Sequence, residues 1–543
     1  MSLQDDDLQR HRQQILAQNG STASSVSKRK GSPCSEDGYA DSQAAKILGY
    51  STPVLPEDIW RHIHSLMPLR DAARAACVSH AFLCSWRCLP NLIFNEDSLR
   101  SNAHALEHDF SHTIDRILRK HSGIGLKILK LELFDIAYRD LDDWLQVAVK
   151  PGIEELTVML SRFKTKYDFP CPLLSEGIRN SIRSLEVGFC AFHPTAELGN
   201  LRSLTSLCLF HVRIEEDELE GLLSNSPVLE MLDIAQCDKI IFLKLPCVLE
   251  QFICLKATTC SRLRVIENRA PNLSSLYISG NVTITGETLQ VKNLSTSHSK
   301  VVCYSRAELP SIMPNLETLE IRSRGEVVNT PMLRTKFVHL KHLDISVSSG
   351  RASLPYDYFS LVSFLDASPS LETLSLDVRR SFIPSCKDIF YEFVGPINSI
   401  VSMENKKHES VIGHSSPWRH MDEHPHCSLK SVKITGFSSA KSLVELTCYI
   451  LKNAVSLDCL RLDTLYGSRC SDENYDRCHS MSKGILTETS RALVAVRTFI
   501  EYKVPTKVKL IVLEPCSQCH AFVWEGGKQK ESQVRPSFKP CIE

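Results

Sequence analysis

Residues 226–237 read Ser-Pro-Val-Leu-Glu-Met-Leu-Asp-Ile-Ala-Gln-Cys, and the fold turns on how they are read. Leu229, Leu232 and Ile234 are the apolar positions of LEMLDI. Its last three residues alternate, so Leu232 and Ile234 face one side of a short strand. Pro227, two residues upstream, ends the incoming connector, because proline has no N–H with which to continue one. The unit recurs at LKILKL (126–131), IEELTV (153–158), IRSLEV (182–187), LTSLCL (204–209), LSSLYI (273–278), LETLEI (316–321), LKHLDI (340–345), LETLSL (371–376), LKSVKI (429–434) and LDCLRL (457–462). LEQFIC (249–254) reads as a degenerate copy, and the gap between Leu273 and Leu316 leaves room for one eroded unit. Pro271, Pro314 and Pro369 repeat the placement of Pro227. An amphipathic helix also accommodates L-x-x-L, but the recurrent proline and the alternating tails favour strands. One such unit cannot bury its own apolar face, whereas stacked neighbours can, which predicts a curved solenoid.

The spacing of roughly 20–30 residues resembles that of leucine-rich repeats. Cys190 after IRSLEVGF and Cys237 after LEMLDIAQ stand where such repeats place Asn or Cys, a buried small polar group that satisfies loop backbone.

Upstream, PVLPEDIWRHIHSLMPLRDAARAACVSHAFLCSWRCLPNLIF (53–94) has a different texture. Pro56 suits a first helical position, and Glu57 and Asp58 complement the helix dipole. Ile59, Ile63 and Leu66 share a helical face, and Pro68 stops that helix. Asp71 is expected to cap a second helix and Ser79 a third, which places Phe82 and Trp86 on one side. A module of about 40 residues is too small to cover its own apolar surface. Either the following domain or a partner must cover the rest. The run LPEDIWRHIHSLMPLRDAARAACVSHAF resembles an F-box, with Leu55-Pro56, Ile59, Ile63, Leu66, Pro68-Leu69-Arg70-Asp71, Ala72, Cys77-Val78-Ser79 and Trp86 as the matching features. His80 and Phe82-Leu83 depart from the usual pattern. The resemblance implies docking on the small adaptor of an SCF-type (cullin-RING) ubiquitin ligase. It assigns adaptor contact to Leu55, Pro56, Ile59 and Leu69, with Val78 and Trp86 divided between contact and core.

Residues 379–428 break the repeat rhythm, and KKHESVIGHSSPWRHMDEHPHC reads as a loop or linker. Then come a strand, a turn at Gly436, a helix from about Ala440 to Asn453 and another strand. The apolar face of that helix is Leu443, Leu446, Ile450 and Leu451. A second helix, about Ile485 to Ile500, and a strand, Lys507 to Leu513, follow. This block resembles the FBD domain of a large plant family through Pro417-Trp418, Leu429-Lys430, Ile434, Gly436, Glu445, Leu446 and Leu457 to Leu462. It is expected to close the solenoid.

The expected fold class is therefore α+β: a three-helix F-box, then an α/β leucine-rich-repeat solenoid ending in an FBD-type αβ unit. The expected divisions are a disordered tail (1–52), the F-box (53–94), a helical linker (95–125), repeats (126–400), an FBD-like region (401–515) and a C-terminal tail (516–543). In the tail, Lys28-Arg29-Lys30 reads as a minimal import signal or a solvated charge run.

The 63 basic and 63 acidic residues cancel, so no global field draws nucleic acid. The start, Met-Ser-Leu-Gln-Asp-Asp-Asp, has no secretory pattern. No run approaches the ~18 apolar residues of a membrane span. The 21 cysteines then read as free thiols in a reducing compartment, nucleus or cytoplasm. Cys516, Cys519 and His520 spell C-x-x-C-H, and His420, Asp422, Glu423, His424, His426 and Cys427 make a metal-like cluster. The first lacks a fourth zinc ligand and the second lacks regular spacing, so no metal or cofactor is expected. No catalytic motif is found, which leaves a non-catalytic specificity subunit that binds the adaptor and a protein target. Two rivals remain: a receptor whose solenoid holds a small ligand or inositol phosphate through Lys130, Arg322 and Arg461, and a scaffold that binds the adaptor without promoting degradation.

Overall fold

The computed structural model describes residues 56–465 and 483–515, other than positions 79, 96–97, 99–106, 123–124, 134–139, 161–166, 196–197, 287–289, 325, 327–329, 349–356, 380–408, 414–415 and 422. Its spine is one sheet of fifteen parallel strands among the described residues. In chain order they are β1 (Asn91–Phe94), β2 (Ile128–Glu132), β3 (Glu155–Met159), β4 (Ser184–Gly188), β5 (Ser206–Phe210), β6 (Met231–Ala235), β8 (Cys254–Thr258), β10 (Ser275–Ser279) and β12 (Asn293–Ser297). β13 (Thr318–Arg324), β14 (His342–Ser348), β15 (Thr373–Arg379), β16 (Ser431–Thr435), β17 (Cys459–Asp463) and β18 (Lys509–Leu513) complete it. Each strand pairs only with its sequence neighbours in this set, so the sheet grows by simple addition.

The repeated unit explains this order. Leu229, Leu232 and Ile234 are fully buried, and so are Leu204, Leu207 and Leu209 in the next unit upstream. Stacking makes three continuous apolar columns, in which each fully buried Leu or Ile contributes roughly 1.5–3 kcal/mol. The alternate residues face outward and form a second set of columns on the open face of the sheet.

Three units were hidden from the pattern. The eroded repeat is β12, where Val291 and Leu294 are buried and Thr296 takes the third inward position. Leu89, Leu92 and Phe94 form an earlier unit, so β1 is already the first strand of the sheet. The degenerate copy is shifted by one turn of the pattern: Leu255 pairs with Leu232 and Ala257 with Ile234, making the unit Phe252–Ala257 rather than LEQFIC. Alanine at the third position fills the column without looking like a core residue in sequence. The corrected register also places Cys260 beside Cys237 in the loop column. The Cys237 thiol donates to the Leu209 carbonyl (3.4 Å) and the Cys260 thiol to the Ile234 carbonyl (3.7 Å). The described cysteines are free thiols.

Where repeats are shortest, the return segment is also extended. β7 (Phe242–Leu245), β9 (Val265–Asn268) and β11 (Thr283–Thr285) form a second parallel sheet. An extended chain rises about 3.3 Å per residue and a helix 1.5 Å, so fewer residues span the same width as strand. Longer repeats return as helices such as Glu216–Ser224, which carries a capping box between Glu215 and Glu218.

The C-terminal block continues the same sheet through β16, β17 and β18. Its helix, Lys441–Asn453, is buried on nearly every side, including Val444, Glu445, Thr447 and Cys448. The expectation of a single apolar face is corrected here, and the reason is the segment read as a loop. The described residues of 409–427 have no regular structure but form a strap across the helix. Lys441 donates to the carbonyls of Ser416 (2.9 Å) and Pro417 (2.8 Å). The Arg419 N–H donates to buried Glu445 (3.1 Å), and the His424 N–H to the Asn453 side chain (3.0 Å). His426 turns inward, 3.6 Å from Asp366. Asp422, Cys516, Cys519 and His520 lie outside the described residues.

Candidate docking surfaces

The N-terminal module has three helices: α1 (Glu57–Ser65), α2 (Leu69–Ala75) and α3 (His80–Arg87). Asp71 does not cap α2. Pro68 occupies the cap with φ −54° and ψ 144°, and its carbonyl accepts from the N–H groups of Asp71 (2.9 Å) and Ala72 (3.0 Å). Proline presets the geometry that a side-chain cap otherwise selects. The expected capping residue Ser79 lies outside the described residues.

An aromatic wedge joins α1 to α3. The Trp60 and Phe82 rings meet edge-on at 4.7 Å, and His64 meets Phe82 at 5.1 Å. Buried His64 bonds through Nδ1 to the Trp60 carbonyl (2.9 Å). Leu69 and Trp86 are half-buried and pack onto the core, while Pro56 is exposed and Leu55 lies outside the described residues. Three apolar side chains are left in solvent: Ile59 is 41% exposed, Leu66 73% and Val78 76%. Leu66 was read only as part of the α1 apolar face. Its exposure depends on the chain turning away after Ser65, which helical periodicity does not encode.

The second surface is the open face of the sheet. The register places one residue per strand in a continuous central row: Ile93, Lys130, Thr157, Glu186, Cys208, Asp233, Lys256, Tyr277, Ser295, Glu320, Asp344, Ser375, Lys433, Arg461 and Ile511. Burial raises the carboxyl pKa of Asp233, Asp344 and Asp463 above the usual range. Burial also pushes the Cys208 thiol up to about 12, which keeps it protonated and unreactive. Lys130, Arg322 and Arg461 lie on β2, β13 and β17, strands far apart in the sheet order. The first two are already paired with Glu155 (3.5 Å) and Glu320 (2.8 Å).

Comparison with known proteins fits this arrangement. A family model described as "At1g61320/AtMIF1, LRR domain" matches residues 117–392 and 397–517, and an F-box domain model matches 53–94. The chain belongs to the plant F-box/FBD/leucine-rich-repeat family. Among the Arabidopsis thaliana members it resembles, F-box/FBD/LRR-repeat protein At1g13570 is 25% identical over 228 residues, covering 42% of this chain and 48% of that one. F-box/LRR-repeat protein At3g03360 is 23% identical over 383 residues, covering 65% and 75%. FBD-associated F-box protein At3g52670 is 29% identical over 187 residues, covering 33% and 41%. The matches to the first and third thus span less than half of those proteins' own lengths. As a member of this family, the chain has its F-box match over α1–α3 and β1.

Proposed function

We propose that this chain is the target-selecting subunit of an SCF-type ubiquitin ligase, docking on the adaptor through its F-box and holding a protein target on the open face of its repeats. The observation that carries this reading is the exposure of Ile59, Leu66 and Val78 on a module whose other large apolar helix residues are only half-buried. Several large apolar side chains left in solvent on so small a module mark a surface meant to be covered. The F-box match supports an SCF adaptor as the subunit that covers it. Catalysis then comes from proximity, since a target held on the repeats meets a ubiquitin-charged enzyme elsewhere in the complex at high effective concentration. In this reading the chain itself contributes no reacting group.

The test is co-purification of the full chain with the adaptor. Leu66→Glu and Val78→Glu place charge in a surface that needs no such residue for folding. Recovered adaptor is expected to fall by about tenfold or more, the effect of losing one interface hot spot. The thermal midpoint should stay unchanged, and Met332→Glu, an exposed apolar position on the repeats, serves as control. Full recovery of adaptor by both F-box variants would remove the docking assignment.

A further inference from the structure

The connector between β13 and β14 carries apolar side chains that the core does not use. Residues 331–340 read Pro-Met-Leu-Arg-Thr-Lys-Phe-Val-His-Leu. Phe337 and Leu340 are buried, and the Phe337 ring stacks on that of Phe364 with centroids 6.2 Å apart. Met332, Leu333 and Val338 instead stand in solvent, 65%, 43% and 54% exposed. A single exposed leucine is ordinary, but three large apolar side chains within one short stretch mark a surface. Arg334, Lys336 and His339 lie among them, all exposed, and the stretch contains no acid. Among the described residues the Arg334 and Lys336 side chains form no ion pair and no hydrogen bond.

The backbone of this connector is held at several points along its length. The Thr330 hydroxyl donates to the Ser360 carbonyl. Arg306 donates to the Leu333 carbonyl (2.7 Å) and to the Thr335 hydroxyl (3.2 Å). The Phe337 N–H donates to the Ala367 carbonyl (2.8 Å), and the Ser370 hydroxyl to the Val338 carbonyl (2.8 Å). A segment anchored in this way presents its outward side chains with little further ordering cost on binding. Carboxylates in the adjoining stretches are engaged elsewhere. Glu326 accepts the N–H groups of Val302 (3.0 Å) and Cys303 (3.1 Å), Asp357 accepts from Arg419 (2.9 Å), and Asp366 accepts from the Tyr449 phenol (2.7 Å).

We propose that residues 332–338 are a docking surface for an acidic, apolar segment of a partner protein, one that alternates Asp or Glu with Leu, Ile or Phe. Charge complementarity sets the acidic half of that pattern. The Arg334 guanidinium matches a carboxylate as a fork, and Lys336 adds a point charge two residues on. The apolar half follows from Met332, Leu333 and Val338, of which the unbranched methionine adapts to side chains of different shape. Recruitment to an anionic membrane draws on clusters of about four to eight basic residues, and two cations on an irregular connector fall short of that. The connector belongs neither to the F-box nor to the rows of the open face, so this surface is additional to the two already described.

The probe is a library of fluorescein-labelled peptides, about ten residues long, in which Asp or Glu alternates with Leu, Ile or Phe. A second library carries Asn and Gln in place of the acids, and a third carries Ser in place of the apolar residues. Binding to the full chain is read by fluorescence anisotropy. The first library is expected to bind about tenfold more tightly than either control, and its advantage over the second shrinks as salt rises. Arg334→Glu with Lys336→Glu removes the preference for acids, and Met332→Ser with Val338→Ser weakens binding of the first library by about tenfold. Arg262→Glu, which alters an exposed cation of another repeat, leaves both in place. Thermal midpoints are recorded throughout, and Arg334→Glu alone replaces a double variant that fails to fold. Equal binding of the three libraries, unchanged binding in the variants, or binding to phosphatidylserine vesicles without binding to peptides would each overturn the proposal. Adaptor co-purification from the same samples should stay at the parent level, and its loss in these variants would give the surface to the adaptor instead.

Discussion

Single residues show how strongly this fold depends on satisfied polar groups inside an apolar stack. Arg306 is 1% exposed, yet it donates to the carbonyls of Ser363 (2.9 Å) and Leu333 (2.7 Å) and to the Thr335 hydroxyl (3.2 Å). Burial lowers its pKa, the expected direction for a desolvated cation. One side chain thereby ties the helix Val301–Ala307 to two later connectors. Arg306→Leu leaves two carbonyls without a donor and should cost about 2 kcal/mol or more, read as a lower urea midpoint. An unchanged midpoint would show that the neighbouring backbone finds other donors. Nothing local in VVCYSRAELP announces this role, because its partners lie 27 to 57 residues away. The exposure of Leu66 was hidden for a similar reason.

At the scale of the element, strands were legible because their signal is local. Alternation within six residues sets which side chains face inward, and the rhythm predicted the strands of the large sheet apart from the hidden units, but none of β7, β9 and β11. Phe252–Ala257 was misread because its third column position is a small residue, and β12 because threonine takes that place. A second regularity runs along the rim where the strands begin. Lys292, Glu317, Lys341, Glu372 and Lys430 alternate in sign, with Lys292–Glu317 at 3.6 Å, Lys341–Glu317 at 2.9 Å and Lys430–Glu372 at 2.9 Å. Hydrogen bonds from the lysines hold the Glu317 and Glu372 carboxyls below their ordinary pKa of 4.5. A depressed carboxyl contributes stability above its unfolded pKa and loses it as pH falls through the folded value, so this rim weakens below about pH 4.5. Glu317→Lys sets three like charges side by side and should lower the thermal midpoint, and adding Lys341→Glu should restore part of the loss. Additive losses in the double variant would mean that the pairs do not couple.

Across the whole molecule, the proposed role calls for a fixed relation between the F-box and the repeats. The Ser122 N–H donates to the Arg87 carbonyl (2.8 Å), the Lys127 N–H to that of Pro90 (2.7 Å), and His121 bonds through Nε2 to that of Leu89 (2.9 Å). These contacts bind the end of α3 to the start of the sheet. Burial lowers the pKa of His121 below 6.5, and those of His298 and His426 shift the same way. A histidine with a depressed folded pKa favours the folded state above about 6.5 and opposes it as pH falls further. The thermal midpoint should therefore drop between pH 7.5 and 5.5, and His121→Gln should reduce that drop by roughly 1–3 °C. A pH response identical to that of the parent chain would exclude His121 as a contributor.

The F-box ahead of the repeats, the inward face of most strands and the family resemblance were all readable from residues close together in the chain, because periodicity and motif spacing are local properties. The strap over the helix Lys441–Asn453 and the register at Phe252 were decided only in three dimensions. Register depends on how neighbouring repeats pack against one another, and no single stretch of sequence contains that information.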